Sequence, residues 1–374
     1  MTHYKMSDVA VEVNDRENNP ASSKYDRFVG LEHYVSGEVI IRNYGSTENL
    51  ESTMKIFQSG DVLVARRNVY LKRASMVDFD GLTSGDSIVL RAKNPVIGRI
   101  LPFVLNTDAF WDFADQYSDG TMSKRLSPKT LMTYEFDLPD EDELEKFADL
   151  LWAANDTRES YQALLRQTDE LVKSQFIELF GDKEYPQHRL SEVCDKITDG
   201  THKTPNYQDN GITFISAKNI VDGKLDFSDI KYITQSEYDE IQKRCRLECG
   251  DLLMSKSGSL GSLAIVETSE PLGLFESLAI IKYDRKKLDG VFLMEQLRSA
   301  KAQEQLMSGV KGVAVKHLHL NVISAMTIIV PPLDEQLVFS KIIQQTDKSK
   351  FEIKKAIENT SALIKSLMQQ DLTN

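Results

Sequence analysis

The sequence predicts an α+β fold in which two repeated globular domains are separated by two long helices that form an antiparallel coiled coil. Three observations predict it: an internal repeat of about 190 residues, two matched amphipathic stripes without internal glycine or proline, and short β-rich segments punctuated by Gly, Asp and Ser. The expected boundaries are a first globular domain over 1–138, a central helix over 139–182, a second globular domain over 183–331 and a C-terminal helix over 332–374.

The repeat is read first, because it sets the architecture. Leu171-Val172-Lys173-Ser174 aligns with Leu363-Ile364-Lys365-Ser366 at a displacement of 192 residues. The same displacement matches Pro139 with Pro331, Asp142-Glu143 with Asp334-Glu335, Phe147 with Phe339, and Gly120 and Lys124 with Gly312 and Lys316. Upstream it drifts: Gly60-Asp61 matches Gly250-Asp251 at 190, and Met6-Ser7-Asp8-Val9 matches Leu190-Ser191-Glu192-Val193 at 184. Insertions and deletions are therefore confined to the globular parts.

In the first globular domain, strands are expected over 57–65, 87–90 and 134–138, with a helix over 100–113. In the central helix, Leu144, Leu151, Leu165, Val172 and Leu179 occupy one heptad track, with Phe147, Ala154 and Tyr161 on its companion. The second globular domain offers strands at 212–215, 251–254, 263–266, 278–281 and 326–330, interrupted by a helix over 291–306. The last helix repeats the stripe with Ile343, Ile357 and Ile364, and with Phe339, Ile353 and Leu367. Both stripes are interrupted at the same place, by Arg158 in one and Lys350 in the other. A helix of about 40 residues is a rod of about 60 Å. Two rods joined by a globular domain that must return the chain are expected to pair antiparallel.

The net charge of −12 argues at first against a nucleic-acid binder. Its distribution removes the objection: residues 137–184 hold 14 acidic and 5 basic side chains and so carry three quarters of it. The globular parts are nearly neutral and contain basic clusters at Arg66-Arg67, Lys72-Arg73, Lys124-Arg125, Lys243-Arg244 and Lys316-His317. An acidic rod is repelled by phosphates and reads as a spacer or protein-docking surface.

No run approaches the roughly 18 apolar residues of a membrane span, and the first residues lack the apolar core of a signal peptide, so a cytoplasmic protein is expected. Three cysteines, Cys194, Cys245 and Cys249, suit reduced thiols. Cys245 and Cys249 have the residue type of half a metal site, with His202, His317 or His319 as the other half, but the histidines lack zinc-finger spacing. The sequence contains no phosphate-binding loop, zinc-protease motif or nucleophile elbow, and its Asn-Pro pairs, Asn19-Pro20 and Asn94-Pro95, do not continue into the second proline and aromatic residue of an adenine methyltransferase. A Glu352-Ile353-Lys354 string lies within the second helical stripe and reads as helix surface. The chain is expected to be non-catalytic, with no metal or cofactor of its own.

The string Arg189-Leu190-Ser191-Glu192-Val193-Cys194, running on to Asp199-Gly200-Thr201-His202-Lys203-Thr204-Pro205, is similar to the opening of many target-recognition domains in the specificity (S) subunits of Type I restriction-modification enzymes. The resemblance continues through Gly211-Ile212-Thr213-Phe214-Ile215, Gly250-Asp251-Leu252-Leu253 with Ser257-Gly258-Ser259-Leu260-Gly261, and Val330-Pro331-Pro332-Leu333-Asp334-Glu335-Gln336. The first half departs from the pattern, with Asp15-Arg16-Glu17-Asn18 at the Asp-Gly-Thr-His position and Arg66-Arg67-Asn68 in place of the small Gly/Ser turn.

The resemblance implies a reader of double-stranded DNA with a bipartite target, one globular domain per half-site, the helices setting the spacing between halves. It implies two modification subunits, carrying S-adenosylmethionine, docked on the helices, and restriction subunits driven by ATP and Mg. Docking would use the stripe residues Leu144, Leu151, Leu165, Val172, Phe339, Ile343, Ile357 and Ile364. Polar turn residues are the expected DNA contacts, since Arg and Lys suit guanine and Asn suits adenine. In the first domain these are Arg66, Arg67, Asn68, Lys72, Arg73, Lys124 and Arg125; in the second, Lys218, Asn219, Lys256, Ser257, Ser259, Lys316, His317 and His319. Lys124 and Lys316 are the favoured pair because they are repeat-equivalent. The alternative is a coiled-coil scaffold that binds protein, not DNA, through its globular repeats.

Overall fold

The structure, a computed structural model, describes residues 1–120, 123–181, 183–308 and 317–370. It divides into two units, residues 1–164 with 353–374, and residues 165–352. The divisions fall inside the long helices rather than at their ends.

In unit 1, strand β1 (Thr2–Lys5) leads through one turn of helix, α1 (Met6–Val9), into β2 (Ala10–Val13). The longer strands that follow are β3 (Arg27–Val29), β4 (Met54–Phe57), β5 (Val62–Ala65), β6 (Ala74–Met76), β7 (Gly81–Thr83), β8 (Ser87–Ala92) and β9 (Glu135–Leu138). An antiparallel four-stranded sheet runs β2-β8-β5-β6, and a second sheet centres on β4-β7-β3, with β3 and β7 parallel. β1 pairs with β9, so the two ends of the globular part meet. The segment expected to be one strand over 57–65 is two, because Gly60 adopts φ +92° and turns the chain between β4 and β5. The helix expected over 100–113 is also two: α2 (Pro95–Val104), capped by Asn94, and α3 (Asp108–Gln116), whose first turn is capped by the Thr107 hydroxyl. That cap is a chain break a heptad count does not register.

The first long helix, α4 (Leu144–Phe180), begins in unit 1 and ends in unit 2. Unit 2 then repeats the order: β10 (Gln187–Arg189), the short helix α5 (Leu190–Val193) and β11 (Cys194–Asp199). There follow β12 (Ile212–Ile215), β13 (Lys231–Ile233), α6 (Gln235–Arg244), β14 (Leu252–Ser255), β15 (Leu263–Ile265), β16 (Leu272–Leu274) and β17 (Leu278–Tyr283). The helix expected over 291–306 is α7 (Gly290–Arg298) and α8 (Ala300–Ser308), divided at Ser299, whose hydroxyl accepts the Ala302 N–H. β18 (Thr327–Ile329) returns to β10, and α9 (Leu333–Gln370) closes the chain.

The two units share their topology. The four-stranded sheet of unit 2 runs β11-β17-β14-β15, strand for strand the order of unit 1, and β12 and β16 pair parallel as β3 and β7 do. The match reaches single hydrogen bonds at the Gly-Asp turns. Gly60 donates its N–H to the Val77 carbonyl at 2.8 Å, and Gly250 to the Val266 carbonyl at 2.7 Å. The Asp61 carboxylate accepts the Gln58 N–H at 2.8 Å, as Asp251 accepts that of Glu248. Each buried aspartate then meets a cation on the neighbouring strand, Arg91 at 2.8 Å or Lys282 at 2.6 Å. The Gly-Asp pair is thus conformational, since it closes a turn and neutralises one strand-borne cation.

The long helices supply core to both units. In unit 1, Leu144, Phe147, Ala148 and Leu151 share a cluster with Phe103, Phe110 and Met368. In unit 2, Phe176 and Phe180 of α4 pack against Phe339 of α9 and Phe292 of α7, with ring centroids 5.1–6.0 Å apart. The polar interruptions of the two stripes are accommodated by pairing. Arg158 donates to the side chain of the fully buried Asn155 at 2.8 Å, and Lys350 meets Asp169 at 2.6 Å. Among the described residues, no helix is long and apolar enough to cross a membrane.

Candidate nucleic-acid interface

The connection between the third and fourth strands of the conserved sheet order carries most of the expected contacts. In unit 1 it leaves β5 at Arg66 and enters β6 after Arg73. Arg66 donates its N–H to the Asp86 carbonyl and accepts the Leu126 N–H, both at 2.9 Å. Lys256 occupies the same bonds in unit 2, donating to Ser277 at 2.7 Å and accepting from Leu318 at 2.9 Å. The backbone therefore equates Arg66 with Lys256.

In unit 1 the expected residues come together. Arg67 and Arg125 flank the Asp86 carboxylate at 3.3 and 2.6 Å, with both guanidinium groups about half exposed. Asn68 donates its N–H to the Lys124 carbonyl, and its side-chain oxygen accepts the Ser123 hydroxyl at 3.0 Å. Lys124 is held by Asp115 at 2.6 Å. Lys72 and Lys365 both donate to Asp108, whose carboxyl is pulled down to about 2 by those hydrogen bonds. Arg73 is the exception, because its guanidinium is directed at the carbonyls of Leu31 and Arg67, which makes it a loop strut.

Unit 2 corrects two of the expected readers. Lys256 is buried, and its amine donates to the equally buried Asp199 at 2.5 Å. A lysine spent on a buried carboxylate is not available to a base. Asn219 is 3% exposed and its amide is fully engaged, donating to the carbonyls of Asp226 and Asp229 and accepting the Ser216 N–H. It closes a loop rather than reading adenine. Lys218 is exposed and pairs with Asp229 at 2.6 Å, and Ser257 and Ser259 lie on the turn, Ser259 exposed and Ser257 half-buried. His317 and His319 stack edge to face at 5.5 Å on the segment that Leu318 bonds to Lys256. Lys316 and its neighbour Gly312 lie outside the described residues.

The sequence reading missed the organising group of unit 2. Asp199 ends β11 and gathers three side chains, Lys256, Arg244 at 2.6 Å and His202 at 3.3 Å, and Glu276 meets the other ring nitrogen of His202 at 3.2 Å. Burial pushes the Asp199 carboxyl up, but Lys256 and Arg244 more than offset it, and the net result lies below the ordinary value. Arg244 and His202 border a cleft of about 480 Å³ that Lys203 and Pro205 also line. The signal was present, since Asp199 and His202 belong to the Asp-Gly-Thr-His string, but nothing in the sequence paired them with Lys256.

The stripe residues expected to dock partners are mostly consumed within the chain. Leu144, Leu151, Val172, Phe339 and Ile343 are buried in the cores of their own units, while Leu165, Ile357 and Ile364 are half-buried. The exposed apolar side chains of the helices are others, including Leu171, Ile177, Leu337 and Val338 in unit 2 and Leu150, Leu164 and Leu363 in unit 1. Cys245 is buried, the Cys194 thiol is pushed up to about 12 by burial, and Cys249 is exposed. Among the described residues no group of three or more His, Cys, Asp or Glu side chains is placed to hold a metal ion.

Residues 183–360, which span the Asp199 network and its turn, match the family model of the Type I restriction modification DNA specificity domain. Residues 183–360 thus carry the domain of the Type I specificity-subunit family. The Type I restriction enzyme EcoBI specificity subunit of Escherichia coli is 27% identical over 163 residues, 44% of this chain and 34% of that protein. The match thus spans about a third of that relative's length. Two solved structures cover 99% of this chain. A crystal structure of the Type I restriction-modification S subunit from M. genitalium has TM-score 0.58 at 12% identity over 95% of its own chain. A chain described in terms of the assembly and conformational transition of a type I R-M system has TM-score 0.55 at 19% identity over 97% of its own chain. At these identities the two likenesses establish the fold.

Proposed function

We propose that this chain is a specificity subunit that reads a bipartite site in double-stranded DNA, one globular domain per half-site. The observation that carries the proposal is the shared strand order of the two units, which ends in both on one turn between equivalent strands, with different side chains on it. A repeated frame with divergent turns suits two half-sites of different sequence. In unit 1 the half-exposed Arg67 and Arg125 are the best-placed cations; in unit 2 Arg244 and Lys218 are, and Ser259, His317 and His319 add polar side chains. Neutral domains with local cations fit a division in which phosphate contacts position and base contacts specify.

The long helices then act as an antiparallel coiled coil that fixes the distance between half-sites. A rigid connector raises the effective concentration of the second contact once the first is made. Two modification subunits, bringing S-adenosylmethionine and extruding the target adenine, dock on the exposed helical side chains such as Leu171, Ile177, Leu337 and Val338 rather than on the buried stripe. Restriction subunits, using ATP and Mg, complete the nuclease in the cytoplasm, and this chain contributes recognition without catalysis.

A gel-shift assay of the chain bound to its modification subunit tests this reading. A sequence-selective complex on genomic fragments is expected, with Arg125→Ala weakening it about tenfold and flattening its salt dependence. Equal affinity for random and genomic DNA, unaffected by Arg125→Ala, contradicts it.

A further inference from the structure

The turn between β5 and β6 holds two residues in the left-handed region, Asn68 at φ +54° and Lys72 at φ +46°. The equivalent turn of unit 2 bends at two left-handed positions as well, but there they are Gly258 at φ +71° and Gly261 at φ +76°. Glycine meets this geometry without steric cost, and asparagine tolerates it, whereas lysine is strained by its Cβ. Unit 1 therefore makes with side chains a turn that unit 2 makes with glycines. Such outliers persist where the surroundings over-determine them, and they concentrate at sites of function.

The surroundings do hold this turn. Val69 is buried beneath it, the Asn68 N–H donates to the Lys124 carbonyl, Lys72 is anchored on Asp108, and Arg73 is anchored on the Leu31 carbonyl. Between the two strained residues a single 3-10 turn, Val69–Leu71, carries Tyr70 at its tip, 65% exposed, with Leu71 38% exposed beside it. This large, exposed aromatic ring sits on a turn fixed at both ends and borders an open cleft that Trp111, Asp112, Asp115 and Gln116 also line. The geometry points to Tyr70 as a specificity-determining residue that contacts a base in the half-site read by unit 1. Its ring offers an apolar surface to a thymine methyl or base face and its hydroxyl a hydrogen bond to a base edge, while Arg67 and Arg125 hold the backbone or an adjacent guanine. Unit 2 has no aromatic residue in its turn, Ser257-Gly258-Ser259-Leu260-Gly261, so the contact belongs to one half-site alone.

This rests on the bipartite reading, and the test separates the two. The full chain is assembled with its modification subunits and S-adenosylmethionine on a random DNA library, and methylated sequences are recovered and aligned. Tyr70→Ala is expected to reduce base discrimination about tenfold at one or more positions of a single half-site and to leave the other half unchanged. Tyr70→Phe is expected to retain most of it. An exposed side chain should leave the melting temperature of Tyr70→Ala unmoved. Unchanged discrimination in both halves, or equal loss in both, overturns the role of Tyr70. A wild-type complex that yields no two-part pattern overturns the bipartite reading and the inference with it.

Discussion

Lys256→Ala is expected to lower the stability of unit 2 by about 3 kcal/mol, as measured by urea unfolding, because it leaves the Asp199 carboxylate buried with less than its full complement of cations. Removing one member of a buried pair costs about 3–5 kcal/mol in general, and the lower end applies because Arg244 still faces Asp199 at 2.6 Å. The double substitution Asp199→Leu with Lys256→Met is expected to recover most of the loss, since it removes both charges. A base-reading Lys256 makes the opposite forecast: DNA affinity falls while stability holds.

The same pair predicts an acid limit. The Asp199 carboxyl lies below its ordinary value of 3.8 in the folded state. A depressed carboxylate contributes stability that is complete above the unfolded value and lost as pH falls through the folded one. Unit 2 is therefore expected to lose stability below about pH 4, and the Leu/Met double variant to lose less over that range. Equal acid sensitivity of the two proteins would show that Asp199 is not a source of it.

Phe339→Ala carries the second large effect, about 3–5 kcal/mol for an aromatic removed from a packed core. Phe339 is fully buried and its ring meets Phe176, Phe180 and Phe292 within 5.5–6.3 Å. Phe339→Leu is expected to recover part of the loss. Guanidinium unfolding of the isolated chain checks this without any partner. If Phe339 were instead a docking residue, its removal would abolish association with the modification subunit and leave the unfolding midpoint in place.

What was legible in the sequence follows from what pattern reading can register. The repeat predicted equivalent strands, and the order β2-β8-β5-β6 matches β11-β17-β14-β15 because a displacement in sequence preserves the alternation that each strand needs. Helix breaks were missed at Thr107 and Ser299, where a single hydroxyl capping the next helix outweighs a continuing apolar rhythm. Among the candidate contacts, Arg67 and Arg125 were legible as an exposed basic cluster. Lys256 and Asn219 were misread because their partners, Asp199 at 57 residues' separation and the carbonyls of Asp226 and Asp229, are set by tertiary closure that residue type does not encode. The stripe residues were read correctly as apolar helix faces, but the face that is buried within a unit is the one least able to receive a partner.

The most direct measurement maps N6-methyladenine across the genome of cells with and without this chain. A two-part motif with a fixed internal gap, present only when the chain is made, is the predicted result; identical methylation in both cells, or a single uninterrupted motif, would contradict two units reading two halves.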